Sequence, residues 1–332
     1  MLLSITHRTQ LDYAQPITES VMEVRARPRL SEQQVLRQFD ISIQPYAKAS
    51  HHEDWLGNTV HQFSVLGAHR QVIIEAQAVV ETWAPRIALA ELRQPLRALT
   101  FDHRSWDFLQ DHGPATDDPS LPILASKLGL DRSRTLGEAV ELVLTRTQDV
   151  INYQRGVTDS NSTVRDVLRL GAGVCQDFAH LALSLLRRAG LPSRYVSGYL
   201  YKPGTPELET HAWLEVFVPE RGWLGVDPTH AALVDDHYVV LAVGRSYADV
   251  PPNRGVYRGD AAEKIAVSVQ MTPLETVPSL TASAPSMRPA SRHREVPNTA
   301  AAYLAPLSGL EQQRYRPNAV GLVVQQQRQQ QQ

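Results

Sequence analysis

Gly171-Ala172-Gly173-Val174-Cys175-Gln176-Asp177-Phe178-Ala179-His180 runs small, flexible residues into a cysteine and then into an amphipathic stripe. Phe178, Leu181, Ala182, Leu185 and Ala189 recur at the 3.6-residue period of a helix, and Gly190-Leu191-Pro192 supplies the stop. Cys175 is therefore expected in the first turn of a helix, where the positive end of the helix dipole favours thiolate over thiol. It is the only cysteine in the 332-residue chain, so it has no internal disulfide partner. The plain alternative is a buried structural thiol, because free cysteine is among the most buried residue types.

Beyond Pro192 the period changes from 3.6 to two, and residues 194–201, 212–218, 222–226 and 237–243 read as successive strands. His211 opens the run Thr210-His211-Ala212-Trp213-Leu214-Glu215-Val216-Phe217, which sets His211, Trp213 and Glu215 on one face. Asp227 closes the next run, and Pro228 ends that strand. A turn through Pro219 to Gly222 makes the two strands antiparallel neighbours and brings His211 beside Asp227. A cysteine nucleophile needs an imidazole to take its proton and a carboxylate to orient that imidazole. Cys175, His211 and Asp227 are the candidate catalytic residues, although each taken alone is equally at home on the surface or in a core.

Upstream, Thr135-Leu136-Gly137-Glu138 has the form of a capping box and predicts a helix over 136–153, with a shorter one over 163–170. Helices followed by a sheet make residues 135–273 an α+β core. Residues 1–84 carry short period-two runs, such as Leu3 to Leu11 and Val72 to Val80, separated by turn signals such as Gly57-Asn58. They read as an antiparallel β domain. Residues 85–134, with Pro95, Pro114, Pro119 and the aromatics Phe101, Trp106 and Phe108, form a connector with short helices. From 274 to 332 the chain turns to Pro, Ser, Ala and Thr and ends in glutamines, a composition expected to stay disordered.

Four blocks in order, Gly173 to Leu181, Arg194-Tyr195-Val196-Ser197-Gly198-Tyr199, Thr210-His211-Ala212-Trp213 and Asp227-Pro228-Thr229, resemble the core of the transglutaminase-like superfamily. His7-Arg8-Thr9 through Tyr13 and Asp54-Trp55-Leu56-Gly57-Asn58 resemble the domain that precedes this core in bacterial members. Gly244 to Pro252 with Arg254-Gly255-Val256-Tyr257 is similar to the segment that closes it. The resemblance implies a papain-like arrangement, a cysteine at a helix N-terminus packed on an antiparallel sheet. It implies Cys175 as nucleophile, His211 as general acid and base, and Asp227 as the orienting carboxylate. The activity implied is acyl transfer at a peptide or glutamine-type carboxamide through a Cys175 thioester. Hydrolysis is the first expectation, since water is always available; amine transfer that crosslinks glutamine is the alternative. A non-catalytic peptide-binding scaffold is the rival from another class.

The formal charge of -2, from 33 basic and 35 acidic residues, gives no electrostatic reason to expect nucleic acid or an anionic membrane as partner. A peptide or protein substrate is expected instead. A lone cysteine, an opening without the signal-peptide pattern and no apolar run near ~18 residues point to the cytoplasm. Asn161-Ser162-Thr163 is a sequon without secretory context. No cofactor or metal is called for: His51-His52-Glu53-Asp54 lacks HExxH spacing and reads as a polar loop, and no EF-hand loop is present. Asp177 suits helix-dipole complementarity, His180 packing, and Trp213 either the core or a wall of the acyl site. The loop Lys202-Pro203-Gly204-Thr205-Pro206-Glu207 is expected to flank the cleft.

Overall fold

The computed structural model describes residues 1–205 and 208–278, together with the backbone of Val320–Val324. At the front, β1 (Leu2–Val24) and β4 (Thr59–Thr82) form a long antiparallel pair, with β2 (Gln34–Gln44) and β3 (Ser50–Glu53) both on the far side of β4. Leu3, Ile5, His7, Thr9, Leu11 and Tyr13 alternate inward along β1, the period-two signature of a half-buried strand.

The connector holds one-turn 3-10 segments at Leu89–Glu91 and Leu96–Ala98, a longer one at His103–Leu109, and α1 (Leu121–Leu128). Helix α2 (Leu136–Val150) starts where its capping box predicts, with Thr135 and Glu138 each satisfying the other's backbone N–H. After β5 (Asn152–Tyr153) come α3 (Val164–Leu170), the short β6 (Ala172–Gly173) and α4 (Cys175–Arg188). Every residue of α4 from Cys175 to Arg187 is buried, as expected for a helix covered on all sides. Phe178, Leu181 and Leu185 belong to the same apolar cluster as Val140 and Val143 of α2. That cluster also takes in one face of an antiparallel sheet made of β7 (Ser193–Leu200), β8 (Thr210–Val218), β9 (Gly222–Asp227), β10 (Ala232–Leu233) and β11 (Tyr238–Gly244), ordered β10-β9-β8-β7-β11. Ala212, Leu214 and Val216 point into it, while Trp213 packs with Val196, Tyr238 and Val240 on the opposite face. This is an α+β fold with a papain-like core.

The front sheet docks on the edge strand β11. The amide of Gln34 accepts from the Val240 N–H at 2.7 Å and donates to the Val240 carbonyl at 2.9 Å. Asn58 does the same at Val243, with distances of 2.8 and 2.9 Å. Two side-chain amides thus satisfy backbone groups that an edge strand would otherwise leave unpaired. Leu3, Ile5 and Val80 meet Tyr199, Val239 and Leu241 in a shared apolar cluster, and His7 Nδ1 lies 2.6 Å from the Tyr199 hydroxyl.

Residues 253–273, assigned to the core by their position in the sequence, lie elsewhere. β12 (Asn253–Arg258) pairs with the second half of β1 and β13 (Glu263–Pro273) with its first half. The reason is geometric: β2 and β3 both use β4, so nothing in residues 1–84 covers the free edge of β1. The backbone of β14 (Val320–Val324) adds to β12. Residues 279–319 and 325–332 of the expected disordered tail lie outside the described residues. Among the described residues no helix is long and apolar enough to cross a membrane.

Candidate active site

Cys175 occupies the first position of α4, just after the extended Val174. Asp177 fixes this entry: its Oδ2 accepts the Val174 N–H at 2.7 Å and the Thr158 hydroxyl at 2.7 Å. Burial raises the Asp177 carboxyl to about 6, against the lowering effect of those two hydrogen bonds. Gly173 permits the arrangement, since a Cβ there would stand 2.5 Å from the Asp177 carboxylate. His180, one turn further along, receives the Tyr247 N–H on Nε2 at 3.2 Å and stacks on Tyr195, so it packs α4 rather than facing substrate.

His211 stands near the start of β8 and Asp227 at the end of β9. The register Leu214↔Val226 brings the two strand ends together, and His211 Nε2 is 2.8 Å from Asp227 Oδ2. Trp213 stacks against the His211 ring at 5.9 Å between centroids, 27° from parallel, so it is a core residue that also supports the imidazole. Asp227 is fully buried and accepts more than the sequence suggested. Its Oδ2 also receives His230 Nδ1 at 2.7 Å and the Tyr238 hydroxyl at 2.8 Å, and its Oδ1 the Thr229 N–H at 2.9 Å. Burial alone would raise this carboxyl, but the hydrogen bonds from His211 and His230 outweigh it and hold the group far below the usual carboxylate range. An ionised carboxylate only accepts, so both imidazoles present N–H to it.

Cys175 and His211 line one cavity of about 470 Å³, together with His230, Thr229, Tyr153 and Leu208. Lys202 and Thr205 also line it, so the described part of the 202–207 loop borders the cleft; Pro206 and Glu207 lie outside the described residues. At its rim Arg155 and Glu209 form a double hydrogen bond of 2.9 and 2.7 Å. The backbone amides of Ala212 and Gln176 bond the Cys175 sulfur and favour thiolate, yet burial dominates and pushes the thiol up to about 12. The thiolate expected from the helix dipole is therefore opposed by desolvation.

Two residues of this constellation escaped the sequence reading. His230 follows Asp227-Pro228-Thr229 directly and carried a local signal, a second imidazole one turn from the carboxylate. Tyr238 comes from β11 and has no local signal. Donor atoms of His211, Asp227 and His230 lie within 4.8 Å of one another, close enough to hold a metal ion, although Oδ2 is already engaged by two imidazoles and a phenol. Asp235, Asp236 and His237 gather similarly at the surface, where Asp236 pairs with the N-terminal amine at 3.2 Å. His51, His52 and Glu53 are exposed on β3, and Asp54 closes the following turn by accepting the Leu56 and Asn58 N–H groups.

The chain belongs to the transglutaminase-like superfamily. Residues 124–228 match the model of that superfamily, a span that includes Cys175, His211 and Asp227, and residues 3–81 match the bacterial transglutaminase-like N-terminal region. An uncharacterized protein of Mycobacterium tuberculosis (strain ATCC 25618 / H37Rv) is 34% identical over 291 residues, covering 82% of this chain and 92% of its own. A protein-glutamine gamma-glutamyltransferase of Pseudomonas aeruginosa is 39% identical over 67 residues, which is 18% of this chain and 10% of that one. A crystal structure from Cytophaga hutchinsonii, provisionally described as a cysteine protease, shares the fold at a TM-score of 0.66 and 20% identity, covering 84% of this chain and 93% of that one.

Proposed function

We propose that the cavity carries out acyl transfer at a peptide or glutamine-type carboxamide through a Cys175 thioester, with water as the principal acceptor. The observation that carries this reading is the shared cavity: Cys175 at a helix start and an imidazole bonded to a buried carboxylate line the same space. The Cys175 proton passes to His211 Nδ1 as the sulfur attacks the carbonyl carbon. The Cys175 backbone N–H, at the first position of α4, meets the developing oxyanion. Collapse breaks the C–N bond, and His211 returns the proton to the departing nitrogen. Water then hydrolyses the thioester. Asp227 keeps His211 in the tautomer that leaves Nδ1 for this work.

Transfer to an amine is the second reading, supported by the gamma-glutamyltransferase among the relatives. Incubating the protein with a glutamine-bearing peptide, with and without a primary amine, separates the outcomes by mass spectrometry. Glutamate or cleaved peptide without amine supports hydrolysis, and an amine adduct supports transfer. Products unaltered in Cys175→Ala would overturn the thioester, and no product at all would leave the peptide-binding scaffold.

A further inference from the structure

Asp227 Oδ2 receives a ring nitrogen from each of two histidines, His211 through Nε2 at 2.8 Å and His230 through Nδ1 at 2.7 Å. The acceptor-only carboxylate places a proton on both bonded nitrogens, so that in the neutral imidazoles the lone pairs fall on His211 Nδ1 and His230 Nε2. The two rings stand 5.3 Å apart at 62° to each other, and both line the cavity that holds Cys175. Their surroundings differ. The His211 side chain is 10% exposed and the His230 side chain 38%, which puts His230 on the solvent side. The turn that delivers it is held firmly: Thr229 N–H bonds Asp227 Oδ1, and Ala231 adopts a left-handed φ of 50°. A non-glycine residue in that region costs about 1–2 kcal/mol, so the backbone is held there against its own preference.

Resting on the acyl-transfer reading, the geometry points to His230 as a second catalytic base, which activates the acyl acceptor through Nε2 while His211 serves the cysteine. In that step the acceptor's proton goes to His230 Nε2 and its electron pair forms the new bond to the thioester carbon. The C–S bond breaks with its electrons on the sulfur, and the Cys175 thiolate recovers a proton from solvent as the exposed His230 imidazolium releases one. Acylation and deacylation then depend on different histidines bound to one carboxylate.

Single-turnover kinetics with p-nitrophenyl acetate, with mass spectrometry of the Cys175 peptide, tests this in wild type, His230→Gln, His230→Asn and His211→Gln. His230→Gln and His230→Asn each keep an N–H that can face Asp227. The nitrophenolate burst should persist within about threefold in both, while deacylation slows on the order of 10²-fold and acetyl-Cys175 accumulates. Added imidazole should restore deacylation. His211→Gln should abolish the burst. Equal loss of burst and turnover in the His230 variants would mean that His230 merely supports Asp227 and would overturn the inference, as would unchanged deacylation. Absence of a burst and of any Cys175 adduct in the wild type would instead overturn the acyl-transfer reading on which it rests.

Discussion

Replacing His180 by glutamine should make the protein less sensitive to acid. His180 lies on the same helix as Cys175, is 1% exposed, and accepts the Tyr247 N–H on Nε2. Burial first, with the charges of Arg187 and His112 adding to it, lowers the imidazole from its ordinary 6.5 to about 3. As pH falls below 6.5 the unfolded chain takes up this proton and the folded protein does not, so stability declines until the folded group titrates near 3. The slope is ~1.4 kcal/mol per pH unit, so pH 5 costs about 2 kcal/mol relative to neutrality. His7 and His61, both lowered to about 4 mainly by burial, act in the same direction. Asp177, raised to about 6 by burial, acts oppositely, because the folded protein takes up that proton first as pH falls through 6. These other groups are common to both proteins and cancel in the comparison. Glutamine can still accept the Tyr247 N–H, so the variant should fold, weakened at neutral pH by lost packing on Tyr195. Urea unfolding at pH 7.5 and 5.0 measures the result: the stability gap between wild type and His180→Gln should shrink by about 2 kcal/mol at the lower pH. A gap of the same size at both values would refute the assignment of a buried neutral imidazole.

Gly198→Ala should destabilise by about 3 kcal/mol in urea unfolding, at the upper end of overpacking costs. Its Cβ would stand 2.1 Å from the Val239 carbonyl and 2.5 Å from the Trp213 ring that stacks on His211, and a neutral result would contradict this packing. Cys175, with its thiol pushed up to about 12 by burial, should react with iodoacetamide at pH 7 at least ~10-fold more slowly than in the urea-unfolded chain. Its rate should keep rising beyond pH 9; an inflection below the ~8.5 of a free thiol would show that an imidazolium overrides desolvation.

Much of the site was legible because its signals are local. The capping box at Thr135, the stripe from Phe178 to Ala189 and the alternation through His211 each depend on a few neighbouring residues, and the corresponding elements form there. What escaped depends on contacts far apart in the chain. A period-two run says that a strand forms but not which sheet it joins, so 253–273 read as part of the core although its edge partner is β1. Tyr238 could be placed on a strand but not against Asp227, since only the β7–β11 pairing carries it across the sheet. The balance at Cys175 was likewise out of reach: the helix dipole follows from position, whereas desolvation depends on the full set of packed neighbours.

The closing of β1 by strands from beyond the core also sets an order of events at the ribosome. β1 and β4 can pair as soon as residue 82 has emerged, but the other edge of β1 waits for residues 253–273. At ~5–20 residues per second that edge stays open for on the order of ten seconds or more, its N–H and C=O groups available to any other extended chain. The helices and the five-stranded sheet must be synthesised in that interval. The nascent protein is therefore most exposed to mispairing while residues 135–244 are being made, and the emergence of residues 253–273 covers the open edge of the sheet on which they are seated.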